Sequence, residues 1–128
     1  MILDASALVA IALDEPERQT LVAKINEAET VAVGAPTLVE AGIVLSARTG
    51  HDAGAVMFEM VAAVDAVVIE FGQRQWREAI SAWGRFGKGR HPAGLNFGDC
   101  LSYATALVAD EPLLAKGNDF SQTDIALA

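Results

Sequence analysis

Short, continuous apolar runs alternate along the chain with longer segments whose apolar residues recur at helical spacing. The runs read as strands are "MIL" (1–3), "TVAVG" (30–34), "AVVIEF" (66–71) and "PLLAKG" (112–117), with a last short one at "IALA" (125–128). Helix-spaced segments cover 6–15, 16–29, 35–50, 51–65, 73–87 and 96–110. Apolar strands alternating with helices are typical of a parallel sheet covered on both faces. We therefore predict a single α/β domain over residues 1–128.

Several residues mark where the predicted helices begin and end. Pro16 and Pro36 suit the first turns of two helices, and Gly50 suits the end of the second. Ser6 and Asn96 are residue types that cap helix starts. The boundaries are therefore consistent with the apolar pattern.

The composition indicates in which cellular compartment the protein is expected. The chain has 128 residues, 52% of them hydrophobic, yet no apolar run approaches the roughly 18 to 20 residues that span a bilayer. The start has no basic segment that resembles a secretory signal. The single cysteine, Cys100, cannot form an internal disulfide, which agrees with a reducing compartment. We expect a cytoplasmic protein without membrane contact.

The chain is strongly acidic, and its basic residues are concentrated in one segment. A formal net charge of −8 argues against general nucleic-acid binding through a basic surface. It leaves two explanations open, namely acids gathered around a metal ion, or a basic partner. Five of the nine lysines and arginines lie between Arg74 and Arg90, so one basic segment stands out in an acidic chain.

Four acids occupy unexpected positions. Asp4 directly follows the first predicted strand, and Asp119 closely follows the predicted strand at 112–117. Ligands bind at the carboxyl ends of strands in open parallel sheets. Glu40 has largely apolar neighbours at helical spacing, where an ionised carboxylate needs a partner. Asp99 begins the last long helix, in "NFGDCLSYA".

Each of these acids also has a simpler structural explanation. Asp4 can cap the helix that follows it, and Glu40 can be an early-helix acid favoured by the helix dipole. Asp99, three residues after Asn96, fits a capping box. Asp119 and the nearby Asp124 can be ordinary turn residues. Considered one at a time, each of the four acids can have either a functional or a purely structural role.

Taken together, the acids predict a metal site. At least three of them should lie at one edge of the sheet, and clustered carboxylates repel unless a cation lies among them. Oxygen ligands without histidine or cysteine favour Mg²⁺, with Mn²⁺ as a substitute, over zinc.

Four segments in order, "MILDASALVAIALDEPE", "GAPTLVEAGIVLSAR", "LNFGDCLSYATA" and "PLLAKGNDFSQTDI", resemble the PIN-domain ribonucleases, most closely the VapC toxins of bacterial toxin–antitoxin modules. The resemblance covers essentially the whole chain. It implies a three-layer α/β/α fold with a short, mostly parallel central sheet. It also implies metal-dependent endonucleolytic cleavage of RNA, plausibly transfer RNA.

The resemblance also implies roles for particular residues. It assigns Asp4, Glu40, Asp99 and Asp119 to the catalytic site, with Asp4 and Asp99 contacting the metal most directly. Relatives often carry two adjacent acids where this chain has Asn118 followed by Asp119, so Asp124 remains a competitor for the fourth role. The substrate-side or supporting positions are Ser6, Asn96 and Asp124.

Partners follow from the same resemblance and from the basic segment. Arg85, Lys88 and Arg90 can contact RNA phosphates, or can instead balance an acidic domain or face a subunit. Family membership implies inhibition by a VapB-like antitoxin and homodimerisation, and a net charge of −8 suits a basic inhibitor.

Three other functions compete with this interpretation. A phosphoacceptor receiver domain needs paired acids early in the chain, and only Asp4 stands there. A haloacid-dehalogenase-type phosphatase needs a second aspartate two residues after the first, where this chain has Ser6. A PIN-like scaffold that binds RNA or partners without cutting remains the third alternative.

Overall fold

The computed structural model describes all residues from 1 to 128, as four strands and six helices. The strands are β1 (Ile2–Leu3), β2 (Ala32–Gly34), β3 (Val67–Ile69) and β4 (Leu113–Leu114). The helices are α1 (Ala5–Ala12), α2 (Arg18–Glu27), α3 (Ala35–Thr49), α4 (Gly54–Ala63), α5 (Gln73–Phe86) and α6 (Phe97–Ala109). The predicted α/β architecture is confirmed.

The sheet is parallel throughout, with the strand order β3-β2-β1-β4. Leu3 is in register with Val33 on one side and with Leu114 on the other. The central strands therefore end level with one another, and the residues that follow them meet at one edge. No helix is both long enough and apolar enough to cross a membrane.

Two hydrophobic clusters cover the two faces of the sheet. Because strand side chains alternate between faces, Leu3 packs in the cluster built by α1 to α4, whereas its neighbour Ile2 packs in the cluster built by α5 and α6. Both strand residues are at most 2% exposed. Burial on both faces explains why β1 and β4 read as continuous apolar runs.

Some predicted boundaries are wrong in detail. The last predicted strand, 125–128, is reduced to a single bridge between Leu127 and Leu113. Helix α2 begins at Arg18, two residues after Pro16. Ser6 does not cap α1, because Asp4 takes that position and accepts the Ser6 N–H. Gly50 ends α3 as predicted, in the left-handed conformation at φ 75°.

Candidate active site

Asp4 lies at the carboxyl end of β1 and is only 3% exposed. It is the N-cap of α1, and its Oδ2 accepts the Ser6 backbone N–H at 2.9 Å and the Ser6 hydroxyl at 2.5 Å. The capping explanation raised by the sequence is therefore correct as far as it goes. Both hydrogen bonds from Ser6 use Oδ2, so Oδ1 is left available to a ligand at the sheet edge.

Glu40 lies in α3, and its carboxylate is pressed against the start of α6. The helix begins at Ala35, so Glu40 is beyond the first turn, and the early-helix explanation for it does not hold. Its side chain touches Gly98 so closely that a Cβ on that residue would collide with the carboxylate. Glu40 Oε2 is buried and has no hydrogen-bond partner.

An unpartnered buried carboxylate oxygen is costly, and the titration of Glu40 reflects this. Burial is the main cause that raises the pKa of Glu40, and the charges of Asp4 and Asp99 raise it further. No lysine or arginine contributes in the opposite direction. The site therefore disfavours the ionised form of this carboxylate in the absence of a cation.

Asp99 occupies the third position of α6 and completes the predicted capping box. Its Oδ2 accepts the Asn96 N–H at 2.8 Å, and the Asn96 amide oxygen accepts the Asp99 N–H at 3.0 Å. Burial nonetheless raises the pKa of Asp99 to about 6, against the lowering effect of the Asn96 hydrogen bond and together with the charges of Asp4 and Asp119. The residue is thus both a helix cap and a perturbed acid.

The predicted catalytic acids Asp4, Glu40, Asp99 and Asp119 are close enough to act on one another electrostatically. Asp4 acts on both Glu40 and Asp99, and Asp119 acts on Asp99. No three acidic, histidine or cysteine side chains already form a closed set of metal ligands. Binding a cation at this edge therefore requires the carboxylates to draw closer together.

The donor set fits a hard divalent cation. All four side chains offer carboxylate oxygens, which Mg²⁺ and Mn²⁺ prefer. Burial, together with the charges of neighbouring acids, raises the pKa values of Glu40 and Asp99. A bound cation would offset the repulsion between these carboxylates. The unpartnered Glu40 Oε2 shows that the protein itself supplies no compensating donor.

Asp124, the competitor for the fourth role, is occupied elsewhere. Its Oδ1 accepts the Tyr103 hydroxyl at 2.6 Å, and its Oδ2 pairs with Arg85 at 2.5 Å. These two donors, Tyr103 first, lower the pKa of Asp124. Of the two candidates, only Asp119 contributes to the raised pKa of Asp99, whereas Asp124 is held by Tyr103 and Arg85.

The three basic residues predicted to contact RNA differ in their surroundings. Arg85 is paired with Asp124 and lies 4.5 Å from the Phe86 ring centroid. Lys88 and Arg90 are exposed and have no acidic partner, and Arg90 stacks 4.2 Å from the Trp83 ring centroid. Five lysines and arginines have no acidic partner, and four of them lie in α5 or just after it: Arg74, Arg77, Lys88 and Arg90. The fifth, Lys24 of α2, donates to the Ala128 backbone carbonyl at 2.6 Å.

Sequence reasoning missed two features of the site. Gly98 permits the close approach of Glu40, and a glycine in the first turn of a helix is a signal that could have indicated it. Lys116 pairs with Glu15 at 2.5 Å, although the two residues are 101 positions apart, and no local pattern announces such a pair.

An apolar groove leads away from the acids. It has a volume of about 830 Å³ and runs between α3 and α5, with Glu40, Asn96 and Gly98 among its lining residues. Its apolar walls include exposed side chains: Val39, Ile43, Trp76, Ile80 and Phe97. Exposed apolar surface of this kind is typical of interaction sites.

Fold and site together define an α/β protein with a carboxylate-lined centre at the carboxyl edge of a parallel sheet. The PIN domain model matches residues 1–126. Ribonuclease VapC36 of Mycobacterium tuberculosis is 44% identical over 126 residues, covering 98% of this chain and 91% of that protein. The chain belongs to the PIN-domain family, and within it to the VapC type.

Solved structures agree with this assignment at the level of the fold. Mycobacterium tuberculosis VapC20, described as a sarcin–ricin loop cleaving toxin, superimposes with a TM-score of 0.80 at 18% identity, covering 99% of this chain and 97% of that one. VapBC2 of Rickettsia felis, bound to a DNA fragment from its promoter, gives a TM-score of 0.74 at 13% identity, with 99% and 96% coverage.

Proposed function

We propose that this protein is a divalent-metal-dependent endoribonuclease that acts as the toxin of a toxin–antitoxin pair. The observation that carries the proposal is the unpartnered, buried oxygen of Glu40 among mutually repelling carboxylates. The ribonuclease names of the relatives support the reaction class. A non-catalytic scaffold would have no need to retain this unfavourable arrangement.

Asp4 and Asp99 are the residues we assign to direct metal contact, with Asp119 completing the set. Asp4 is fixed by two hydrogen bonds from Ser6, and Asp99 by the N–H of Asn96. Ser6 and Asn96 therefore act as supports that orient the two carboxylates. These carboxylates would hold Mg²⁺ or Mn²⁺, which would stabilise negative charge on a phosphate oxygen and lower the pKa of water.

Glu40 is the residue we assign to proton transfer. Its raised pKa makes Oε2 a better proton acceptor than an exposed glutamate, and that oxygen is free of other bonds. The Gly98 backbone holds the carboxylate from one side, which limits its orientations. We assign Glu40 the role of orienting and deprotonating the attacking water.

RNA is the substrate class we assign, with transfer RNA as the first one to test. Lys88 and Arg90 are exposed and lack acidic partners, so they are available to phosphates, whereas Arg85 is held by Asp124. A lysine or arginine that neutralises a phosphate gives salt-dependent binding. The contacts are therefore expected to weaken steeply as salt rises.

A basic antitoxin and a second copy of this chain are the protein partners we assign. The net charge of −8 suits a basic inhibitor, and the VapBC2 complex of Rickettsia felis supports an antitoxin. The exposed apolar walls of the α3–α5 groove support self-association. A cytoplasmic location follows from the relatives' role and the unpaired Cys100.

The proposal is tested by incubating the protein with total RNA and with purified transfer RNA. We expect discrete fragments with Mg²⁺ or Mn²⁺, and none with EDTA, with Asp4→Asn or with Asp99→Asn. Glu59 is an exposed acid whose side chain makes no hydrogen bond or ion pair, so Glu59→Ala is the matched control and should cut RNA normally. A folded protein that binds Mn²⁺ but cuts neither RNA would support the scaffold alternative instead.

A further inference from the structure

Asp119, the fourth candidate acid, lies outside the helices and strands of the fold. Asp4, Glu40 and Asp99 are placed by a strand end or a helix, but Asp119 lies in the irregular segment 115–124 after β4. Its carboxylate is exposed and takes part in none of the side-chain hydrogen bonds or ion pairs of the structure. The position of Asp119 therefore depends on whatever holds this segment.

The start of the segment is attached to α1 and to the loop that follows it. The Lys116 backbone N–H donates to the Ser6 hydroxyl at 2.9 Å, and that hydroxyl donates to Asp4 Oδ2. The Lys116 ammonium bonds to Glu15 at 2.5 Å and approaches Glu17 at 3.3 Å. Lys116 thus connects the segment that carries Asp119 to Ser6, the residue that orients Asp4.

The end of the segment is attached to α5 and α6. Asp124 accepts the Tyr103 hydroxyl at 2.6 Å and pairs with Arg85 at 2.5 Å. Tyr103 is only 1% exposed, so its hydroxyl has a fixed position in the core. Between the two ends, Phe120 is buried in the cluster of α5 and α6 at 3% exposure, directly beside Asp119.

We propose that Lys116 and Asp124 are positioning residues that clamp the two ends of segment 115–124 and so hold Asp119 beside Asp99. The inference rests on the proposed metal-dependent function. It assigns Asp124 a role in placing the fourth carboxylate, not in binding the cation. It also accounts for the effect on Asp99 of an exposed acid that has no side-chain bonds of its own.

A charged clamp of this kind acts on metal binding and on turnover more than on global stability. Exposed ion pairs contribute little to the free energy of unfolding, whereas displacing a ligand or its support affects metal affinity directly. Losing either clamp should weaken Mn²⁺ binding and lower kcat by roughly 10- to 100-fold, the range typical of residues that orient metal ligands. KM for RNA should change little, because neither residue is assigned a phosphate contact.

The test compares Lys116→Met, Lys116→Arg and Asp124→Ala with the wild-type protein. Three readouts are used: hydrogen exchange of segment 115–124 without metal, Mn²⁺ affinity by titration, and kcat and KM for RNA cleavage. We expect Lys116→Met and Asp124→Ala to speed exchange in 115–124 but not in α3, and to weaken Mn²⁺ binding. Lys116→Arg, which keeps a cation opposite Glu15, should restore most of the loss.

Matched controls separate the clamp from a general loss of charge. Arg18→Met removes the exposed ion pair with Asp14, and Glu59→Ala removes an unbonded exposed acid; both should resemble wild type. Folding is monitored by Tm, and a variant that fails to fold is replaced by Tyr103→Phe, which removes the hydroxyl that donates to Asp124 and accepts from Arg85 but leaves the Arg85–Asp124 ion pair in place.

The outcomes distinguish failure of the clamp from failure of the proposed function. Wild-type protein that binds Mn²⁺ and cuts RNA, with both clamp variants equal to it in exchange and affinity, overturns the clamp alone. Wild-type protein that neither binds Mn²⁺ nor cuts RNA overturns the proposed function and the positioning role with it. Faster exchange in 115–124 with weakened Mn²⁺ binding supports both.

Discussion

Two groups of acids in this molecule have opposite electrostatic surroundings. Glu15 and Asp124 each face basic side chains, and hydrogen bonds from Lys116 and from Tyr103 and Arg85 lower their pKa values. Glu40 and Asp99 face other acids, and burial together with those charges raises theirs. Basic and hydroxyl donors of the protein stabilise the anions of the first group, whereas the anions of the second group have few such donors and a bound cation would stabilise them. That difference separates structural acids from the candidate site.

The largest expected effect comes from removing a carboxylate that we assign to the metal. Asp99→Asn keeps an oxygen that can accept the Asn96 N–H but loses the charge. We expect RNA cleavage to fall by roughly 10²- to 10³-fold or more, because transition-state charge is no longer stabilised. Single-turnover cleavage and Mn²⁺ titration measure this. Full activity in a well-folded Asp99→Asn protein would contradict the assignment of the site.

A second prediction uses the close approach of Glu40 to Gly98. Gly98→Ala places a Cβ where the Glu40 carboxylate lies, so the carboxylate must move. We expect at least a tenfold loss of cleavage, about 1.4 kcal/mol in transition-state stabilisation. Gly84→Ala is the matched control, since it lies in α5 with open space around the new Cβ, and it should stabilise the protein slightly. Equal activity of the two variants would exclude a functional role for the Glu40–Gly98 contact.

A third prediction concerns stability and pH without metal. Asp99 titrates near pH 6 when folded and near its ordinary value of 3.8 when unfolded, so the native state holds more protons between these pH values. The free energy of unfolding should therefore fall as pH rises from about 4 to about 6, on the order of 2 kcal/mol from this residue. Asp99→Asn should remove that fall and unfold at a higher temperature near pH 7.

The paired acids should behave in the opposite way. Lowered pKa values mean that Asp124 and Glu15 stabilise the fold above their unfolded pKa values and lose that contribution as pH falls through the folded ones. Urea unfolding between pH 3 and 8, with and without Mn²⁺, separates the two groups. A stability that rises steadily between pH 4 and 6 in the Asp124→Asn protein would contradict the third prediction.

The smallest expected effect comes from removing a hydrogen-bond donor to Asp124, one of the acids that face basic side chains. Tyr103→Phe removes the hydroxyl that donates to Asp124 at 2.6 Å while leaving the buried ring in place. We expect a loss of about 1 kcal/mol in the free energy of unfolding, a few degrees in Tm. Thermal unfolding measures it. A loss as large as that of a core truncation would mean that the hydroxyl does more than satisfy Asp124.

The sequence by itself determined the architecture and the identity of the candidate acids. Strands buried on both faces must be apolar at every position, so β1 and β4 were visible as continuous runs, and Asp4 was visible as the charge that ends one of them. The capping box of Asn96 and Asp99 is local, so three residues of spacing were enough to predict it. The extent of the last strand was not local, and it was predicted too long.

Only the tertiary structure decided how those acids are used. Spacing along the chain cannot show that Glu40 contacts Gly98, that Lys116 reaches back to Glu15, or that Arg85 pairs with Asp124 instead of remaining free. Each of these contacts joins residues far apart in sequence, and their energy depends on burial and on distances of a few ångströms. For that reason the sequence leaves Asp119 and Asp124 as alternatives; in the fold Asp124 bonds to Tyr103 and the charge of Asp119 acts on Asp99, which is why we propose Asp119 as the fourth acid.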